Sequence, residues 1–299
     1  MAEIRFDGKV AVVTGAGGGL GRSHALLFGS KGAKVVVNDL GGAPDGTGSS
    51  KRMADAVVDE IKKMGGEAVP NYDSVSTMEG GANIIQSAMD RFGRVDIVIN
   101  NAGILRDLSF QKMDEGSWDI IFSVHVKGAF CVTKAAWPVM RQQSYGRIIL
   151  TSSAAGIYGN FGQANYSAAK MALIGLGQTL ALEGKKYNIL ANVIAPIADS
   201  RLTATVLPDD IRIKLKPEVV SPLVAFLCSD KCEETGGLFE VGAGCFFHLK
   251  WYRSPGLILK PEDATIENVA KHFDKVKDMR EAKAVTSIQE STMSFMANL

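Results

Sequence analysis

Tyr166 and Lys170 lie four residues apart in NYSAAKMAL and so share one face of a predicted helix. That spacing has a chemical use. A free phenol has a pKa near ~10, so acting as a base at neutral pH requires a cation that favours the phenolate by about 2 to 3 units, or roughly 3 to 4 kcal/mol. Lys170 supplies that charge one turn away. Ser153 follows the apolar run GRIILT, upstream of Tyr166, where its hydroxyl can hold a substrate oxygen while the phenol moves a proton. Taken alone, a Tyr-x3-Lys pair is common on ordinary helix surfaces, so its meaning depends on what positions it.

The positioning elements are legible as an alternation of short β-branched runs with longer segments of helical period. The expected strands are Lys9 to Thr14, Lys34 to Asn38, Glu67 to Asn71, Val95 to Asn100, Gly146 to Thr151, Ile189 to Ile194 and Leu238 to Val241. Nearly all their residues are apolar, as in strands covered on both faces. The fold class expected is α/β, a Rossmann-like doubly wound seven-stranded parallel sheet with a C-terminal extension. The first strand runs into a turn containing Gly15, Gly19, Leu20 and Gly21 and then a helix, a place where pyrophosphate can approach bare backbone at a helix N-terminus. Asp39 ends the second strand 18 residues beyond Gly21, near the spacing at which an acid binds the adenosine ribose. It favours NAD over NADP; the alternative for Asp39 is a turn-capping role. Asn101, Ala102 and Gly103 follow the fourth strand at the sheet's carboxyl edge, where they shape the backbone beside a cofactor. The glycine-rich stretch GGAPDGTGSS after Asp39 reads as an extended loop without a catalytic role.

No internal repeat or linker divides residues 1–244, expected to form the dinucleotide-binding catalytic domain. Residues 245–299 form an extension, with aromatic and basic residues from Phe246 to Arg253 and one helix expected over Pro261 to about Lys283. Its aromatic residues predict packing on the main domain or on a partner subunit. A net charge of +1 gives no reason to expect nucleic acid. No apolar run approaches the ~18 residues of a membrane span, and MAEIRFDGKV lacks the apolar stretch of a secretory signal. Cys228, Cys232, Cys245 and His248 superficially resemble a zinc set, but the apolar surroundings of Cys228 and Cys131 favour core packing, and no metal is expected.

Together, TGxxxGxG, Asn-Asn-Ala-Gly, Ser153 and the Tyr166–Lys170 pair resemble the classical short-chain dehydrogenase/reductase family. The resemblance implies that Tyr166 is the catalytic acid/base, that Lys170 lowers its pKa and contacts the nicotinamide ribose, and that Ser153 positions the carbonyl or hydroxyl. It also implies that Asp73 in NYDSV lies near the adenine and that the segment from Pro196 lies near the nicotinamide. Two positions depart from the common pattern. His125 stands where members usually carry asparagine, leaving it either a fourth catalytic residue that holds a relay water or a buried histidine with a backbone partner. Ile197 replaces the usual glycine after Pro196.

A narrower resemblance runs through VVVNDLGG, NYDSV, NAGILRD, GNFGQANYSAAK, GGLFEVGAG and SIQEST. It is to the (3R)-hydroxyacyl-CoA dehydrogenase unit of the type 2 peroxisomal multifunctional enzymes. This implies an acyl-CoA thioester substrate, NAD, a homodimer, a peroxisomal setting and a fused or separate enoyl-CoA hydratase. Ala297-Asn298-Leu299 resembles a degenerate peroxisomal signal. The competing readings are a steroid dehydrogenase or ketoacyl reductase of the same superfamily and a catalytically silent dinucleotide-binding scaffold.

Overall fold

A computed structural model describes residues 3–43, 45–198 and 215–296. Residues 1–248 and 249–299 form two compact units. The first is built on β1 (Val10–Thr14), α1 (Gly19–Ser30), β2 (Lys34–Asn38), α2 (Arg52–Lys63), β3 (Glu67–Asn71), α3 (Met78–Phe92) and β4 (Ile97–Asn100). It continues with α4 (Glu115–Phe122), α5 (Gly128–Gln143), β5 (Gly146–Thr151), α6 (Ala154–Tyr158), α7 (Ala164–Gly184), β6 (Ile189–Pro196), α8 (Ser221–Leu227), β7 (Leu238–Gly242) and β8 (Cys245–Leu249).

The sheet order is β3-β2-β1-β4-β5-β6-β7-β8, and β1 to β7 pair in parallel. Every residue of β1, β4 and β5 is buried, because helices cover both faces. The seven expected strands are present, with ends shifted by no more than two residues. An eighth, β8, joins at the edge. Its sequence CFFHL is largely exposed, so it lacks the continuous burial of β1, β4 and β5. On one face of the sheet, Val13, Val35, Ile97 and Ile149 pack with Phe28 of α1 and Ile61 of α2.

Cys131, Cys228 and Cys232 are buried free thiols, whereas Cys245 is exposed. His248 stacks on Phe239 with ring centroids 4.8 Å apart. Among the described residues, no group of His, Cys, Asp or Glu is arranged to hold a metal ion. No described helix is long and apolar enough to cross a membrane.

The second unit pairs β9 (Tyr252–Arg253) antiparallel with β10 (Lys283–Ala284). The single helix expected from Pro261 to Lys283 is instead broken. A short turn at Pro261–Asp263 precedes α9 (Ile266–Lys271) and α10 (Phe273–Lys277), and α11 (Ile288–Met296) follows β10. The break falls at His272, whose backbone (φ −114°, ψ 15°) leaves the helical region. Ala297-Asn298-Leu299 lies outside the described residues.

Candidate active site

The sheet order places β1 between β2 and β4, so the loops after these three strands meet at one edge. This is where open α/β sheets bind ligands. The turn after β1 is forced to be glycine by proximity. A Cβ on Gly15 would stand 2.7 Å from Ala102 Cα, and one on Gly21 would stand 2.2 Å from the Gly15 carbonyl oxygen. α1 starts at Gly19 with no side-chain cap and no acid in its first turn. Its N-terminal end therefore offers amides and a positive dipole to an anion. Those features fit a dinucleotide pyrophosphate.

Thr14 locks the turn to the next loop. Its hydroxyl accepts from the Asn101 and Ala102 amides at 3.0 and 3.1 Å, and the Asn101 side chain donates to the Thr14 and Gly15 carbonyls at 3.0 and 3.1 Å. Asn101 thus shapes backbone, whereas Thr14 did not stand out as a site residue in the sequence. The Asp39 carboxylate accepts from Gly17 N–H at 2.7 Å and from Gly41 N–H at 2.6 Å. It organises both loops, and each oxygen retains a lone pair for a ribose hydroxyl. Asp73 lies at the same edge, its carboxylate accepting from Asn71 at 2.8 Å and Asn83 at 3.0 Å, while its carbonyl accepts from Asn38 at 2.9 Å.

Ser153, Tyr166, Lys170 and His125 come together further along the edge. Ser153 caps α6, accepting from Ala155 N–H at 3.2 Å, and its hydroxyl acts on the Tyr166 phenol, favouring the phenolate. Lys170 is buried with Nζ 5.4 Å from the Tyr166 ring centre, donating to the Thr151 carbonyl at 2.6 Å. Burial brings the Lys170 ammonium down to about 7. Burial also raises the Tyr166 phenol above its ordinary value, although the Ser153 hydroxyl opposes this. The phenol's direction is thus opposite to the one the Tyr-x3-Lys spacing suggested, because desolvation acts on both groups.

His125 sits in a π-helical turn, Ser123–Lys127, between α4 and α5. Such turns aim side chains into sites. Its ring meets Tyr166 edge-on, with centroids 5.4 Å apart. Nε2 lies 2.9 Å from the Ile104 carbonyl and 3.1 Å from its N–H, while the buried Nδ1 has no partner among the described residues. The backbone partner foreseen in one of the two readings of His125 is therefore present. Burial, and secondarily the Lys170 charge, hold the imidazole well below its ordinary pKa.

Asn165, also not singled out from sequence, is fully buried beside Tyr166. It donates to the Ser117 carbonyl at 2.8 Å and the Arg106 carbonyl at 3.1 Å. This ties the start of α7 to two loops. Pro196 ends β6, and the following Ile197 is half exposed, its N–H donating to Val241 at 2.8 Å. Residues 199–214 lie outside the described residues.

The short chain dehydrogenase family model matches residues 9–209. The chain belongs to that family. Among the relatives of this short-chain dehydrogenase is the mouse peroxisomal multifunctional enzyme type 2, 56% identical over 293 residues; the match covers 97% of this chain and 40% of the mouse protein. The full-length Drosophila melanogaster peroxisomal multifunctional enzyme type 2 superimposes with a TM-score of 0.84 at 46% identity, covering 98% of this chain and 50% of the fly chain. The chain therefore spans half or less of the length of these two relatives. A 7α-hydroxysteroid dehydrogenase solved with NADH and 7-oxo glycochenodeoxycholic acid aligns at a TM-score of 0.72 and 28% identity, covering 80% of this chain and 95% of its own. Family membership and this neighbour make the cofactor a nicotinamide dinucleotide.

Proposed function

We propose that this short-chain dehydrogenase oxidises (3R)-3-hydroxyacyl-CoA to 3-ketoacyl-CoA with NAD, in a peroxisomal β-oxidation setting. The observation that carries the chemistry is the cluster of Ser153 and Tyr166 with the buried Lys170, whose Nζ lies 5.4 Å from the Tyr166 ring centre. The substrate class rests on the likeness to the multifunctional enzymes over nearly the whole chain.

In this reading Ser153 holds the substrate hydroxyl and Tyr166 removes its proton as the carbonyl forms. A nicotinamide dinucleotide, bordered at its nicotinamide by Pro196 and held at that ribose by Lys170, would supply the acceptor for the hydride of the hydroxyl-bearing carbon. Lys170, when protonated, stabilises the phenolate and binds the nicotinamide ribose. His125 fixes the face against which Tyr166 packs and orients a relay water through Nδ1. The glycine turn with Gly15, Gly19, Leu20 and Gly21 takes the pyrophosphate, Asp39 the ribose and Asp73 the adenine side. Asn101, Ala102 and Gly103 border the cofactor, and Pro196 borders the nicotinamide.

The preference for NAD over NADP is supported by the Asp39 carboxylate, which repels a 2′-phosphate. Arg22, next to the glycine turn, is already engaged by Glu60. A homodimer fits the exposed apolar residues Trp118 and Phe130 on α4 and α5. Residues 1–248 are assigned to catalysis, past the boundary expected at residue 244 because β8 joins the sheet, and 249–299 form a separate unit. A hydratase supplies the 3-hydroxyacyl-CoA, either fused or separate.

The test is NADH formation from (3R)- and (3S)-3-hydroxyacyl-CoA, with a steroid alcohol and with NADP in parallel. Selective turnover of the (3R) thioester with NAD is expected. Turnover only of the steroid overturns the substrate assignment, and turnover only with NADP overturns the cofactor assignment.

A further inference from the structure

The stretch after Asp39 is largely exposed, but it is hydrogen-bonded within itself and to the turns beside it, although its composition suggests an open loop. Its ends are pinned together, Ser50 N–H donating to the Leu40 carbonyl at 3.1 Å. Its tip is braced within itself. Ala43 N–H donates to the Thr47 carbonyl at 2.7 Å, and the Asp45 carboxylate accepts from the Thr47 N–H at 3.0 Å and hydroxyl at 2.7 Å. The root is fixed to the glycine turn, because one Asp39 oxygen binds Gly41 N–H while the other binds Gly17 N–H.

The tip reaches the loop after β4. Arg106 Nε donates to the Asp45 carbonyl at 2.8 Å, and Gly46 (φ +85°) lies so close to Ile104 that a Cβ would stand 2.9 Å from its Cδ1. β1 lies between β2 and β4 in the sheet. A contact joining the loop after β2 to the loop after β4 must therefore pass over the carboxyl end of β1, where the pyrophosphate turn begins. The receiving segment is itself held at Ile104 by His125, at the Arg106 carbonyl by Asn165, and at Leu108 N–H by the Gly162 carbonyl at 2.9 Å. Its backbone is anchored, so the Arg106 side chain is the detachable part.

We propose that the Asp45–Thr47 tip, latched by Arg106, is a strap across the dinucleotide site, and that Arg106 is a positioning residue governing cofactor release. The inference rests on the cofactor site described above. The strap crosses the site instead of lining it, so it acts on exchange of the dinucleotide and not on proton transfer.

The experiment follows NADH release from the full chain by stopped-flow fluorescence, together with hydrogen exchange at residues 45–47 with and without NADH. Arg106→Ala removes the latch but keeps the carbonyl that Asn165 binds. Gly46→Ala strains the tip independently, through its positive φ. Both variants are expected to release NADH about fivefold faster or more, the order expected for one charge-assisted hydrogen bond, and NADH is expected to slow exchange at 45–47. Should Arg106→Ala fail to fold, Gly46→Ala decides. Release within about twofold of wild type, with wild-type NADH binding intact, overturns the strap alone. A raised KM for acyl-CoA with unchanged NADH release reassigns Arg106 to the substrate and also overturns it. Failure of the wild-type chain to bind NADH overturns the cofactor site and the strap together.

Discussion

Lys170 carries a penalty in the folded chain that its role explains. Its ammonium falls from 10.5 to about 7 through burial. Below pH ~7 the folded and unfolded chains both hold the proton, so the full desolvation cost is present; it disappears as pH rises toward ~10.5, where the unfolded chain also loses it. Lys170→Met is therefore expected to stabilise the cofactor-free protein at pH ~6 by on the order of a few kcal/mol and to abolish turnover, with the stability gain shrinking toward pH ~10. Chemical denaturation at the two pH values checks this. Tyr166→Phe is expected to retain the fold and NADH binding, because the ring still meets His125, while losing turnover; near-wild-type rates would remove Tyr166 from the mechanism. Asp39→Ala is expected to weaken NAD binding by about 1 to 3 kcal/mol and to narrow the preference over NADP, as read from the two dissociation constants. The types and spacing of Ser153, Tyr166 and Lys170 were readable in the sequence. Their burial was not, since desolvation depends on what the rest of the chain packs around them.

Strands buried on both faces announce themselves as apolar runs, which is why β1, β4 and β5 were legible. β8 was not, because an exposed edge strand has no such run and its aromatic residues read as a loose tail. The helix break at His272 was equally silent, since no proline or glycine marks it. The π-turn around His125 also lacks a signature in residue type, although it decides where that ring points. In the glycine turn the structure supplies a sharper expectation than the motif. Gly21→Ala places a methyl against the Gly15 carbonyl, so it is expected to displace α1 from β1, abolish NADH binding and cost about 1 to 3 kcal/mol of stability. Calorimetric titration with NADH and thermal melting measure the two effects separately. Retained NADH affinity would mean that the turn is not the pyrophosphate site.

At the scale of the first unit, α1 is joined to α8 by a buried polar cluster remote in sequence. His24 Nδ1 lies 2.8 Å from Ser221 Oγ, which is 2.6 Å from Ser23 Oγ. Burial lowers the imidazole from 6.5 to about 3. Between those values the unfolded chain binds the proton and the folded chain does not, so stability should fall as pH drops through this window. His24→Gln is expected to flatten the acid limb of a stability-versus-pH curve; an unchanged slope would assign acid sensitivity to other groups.

The sheet order also sets a sequence of events during synthesis. β1 acquires β2 soon after it leaves the ribosome, but its other neighbour is β4, and Val10 N–H donates to the Asp96 carboxylate, 86 residues further on, at 2.9 Å. Until β4 is made a fully apolar strand presents an open hydrogen-bonding edge, a template for wrong pairing. The strand that launches the cofactor turn is thus the first made but gains its second neighbour only after β2 and β3 have formed, and a pause before residue 100 leaves that edge open.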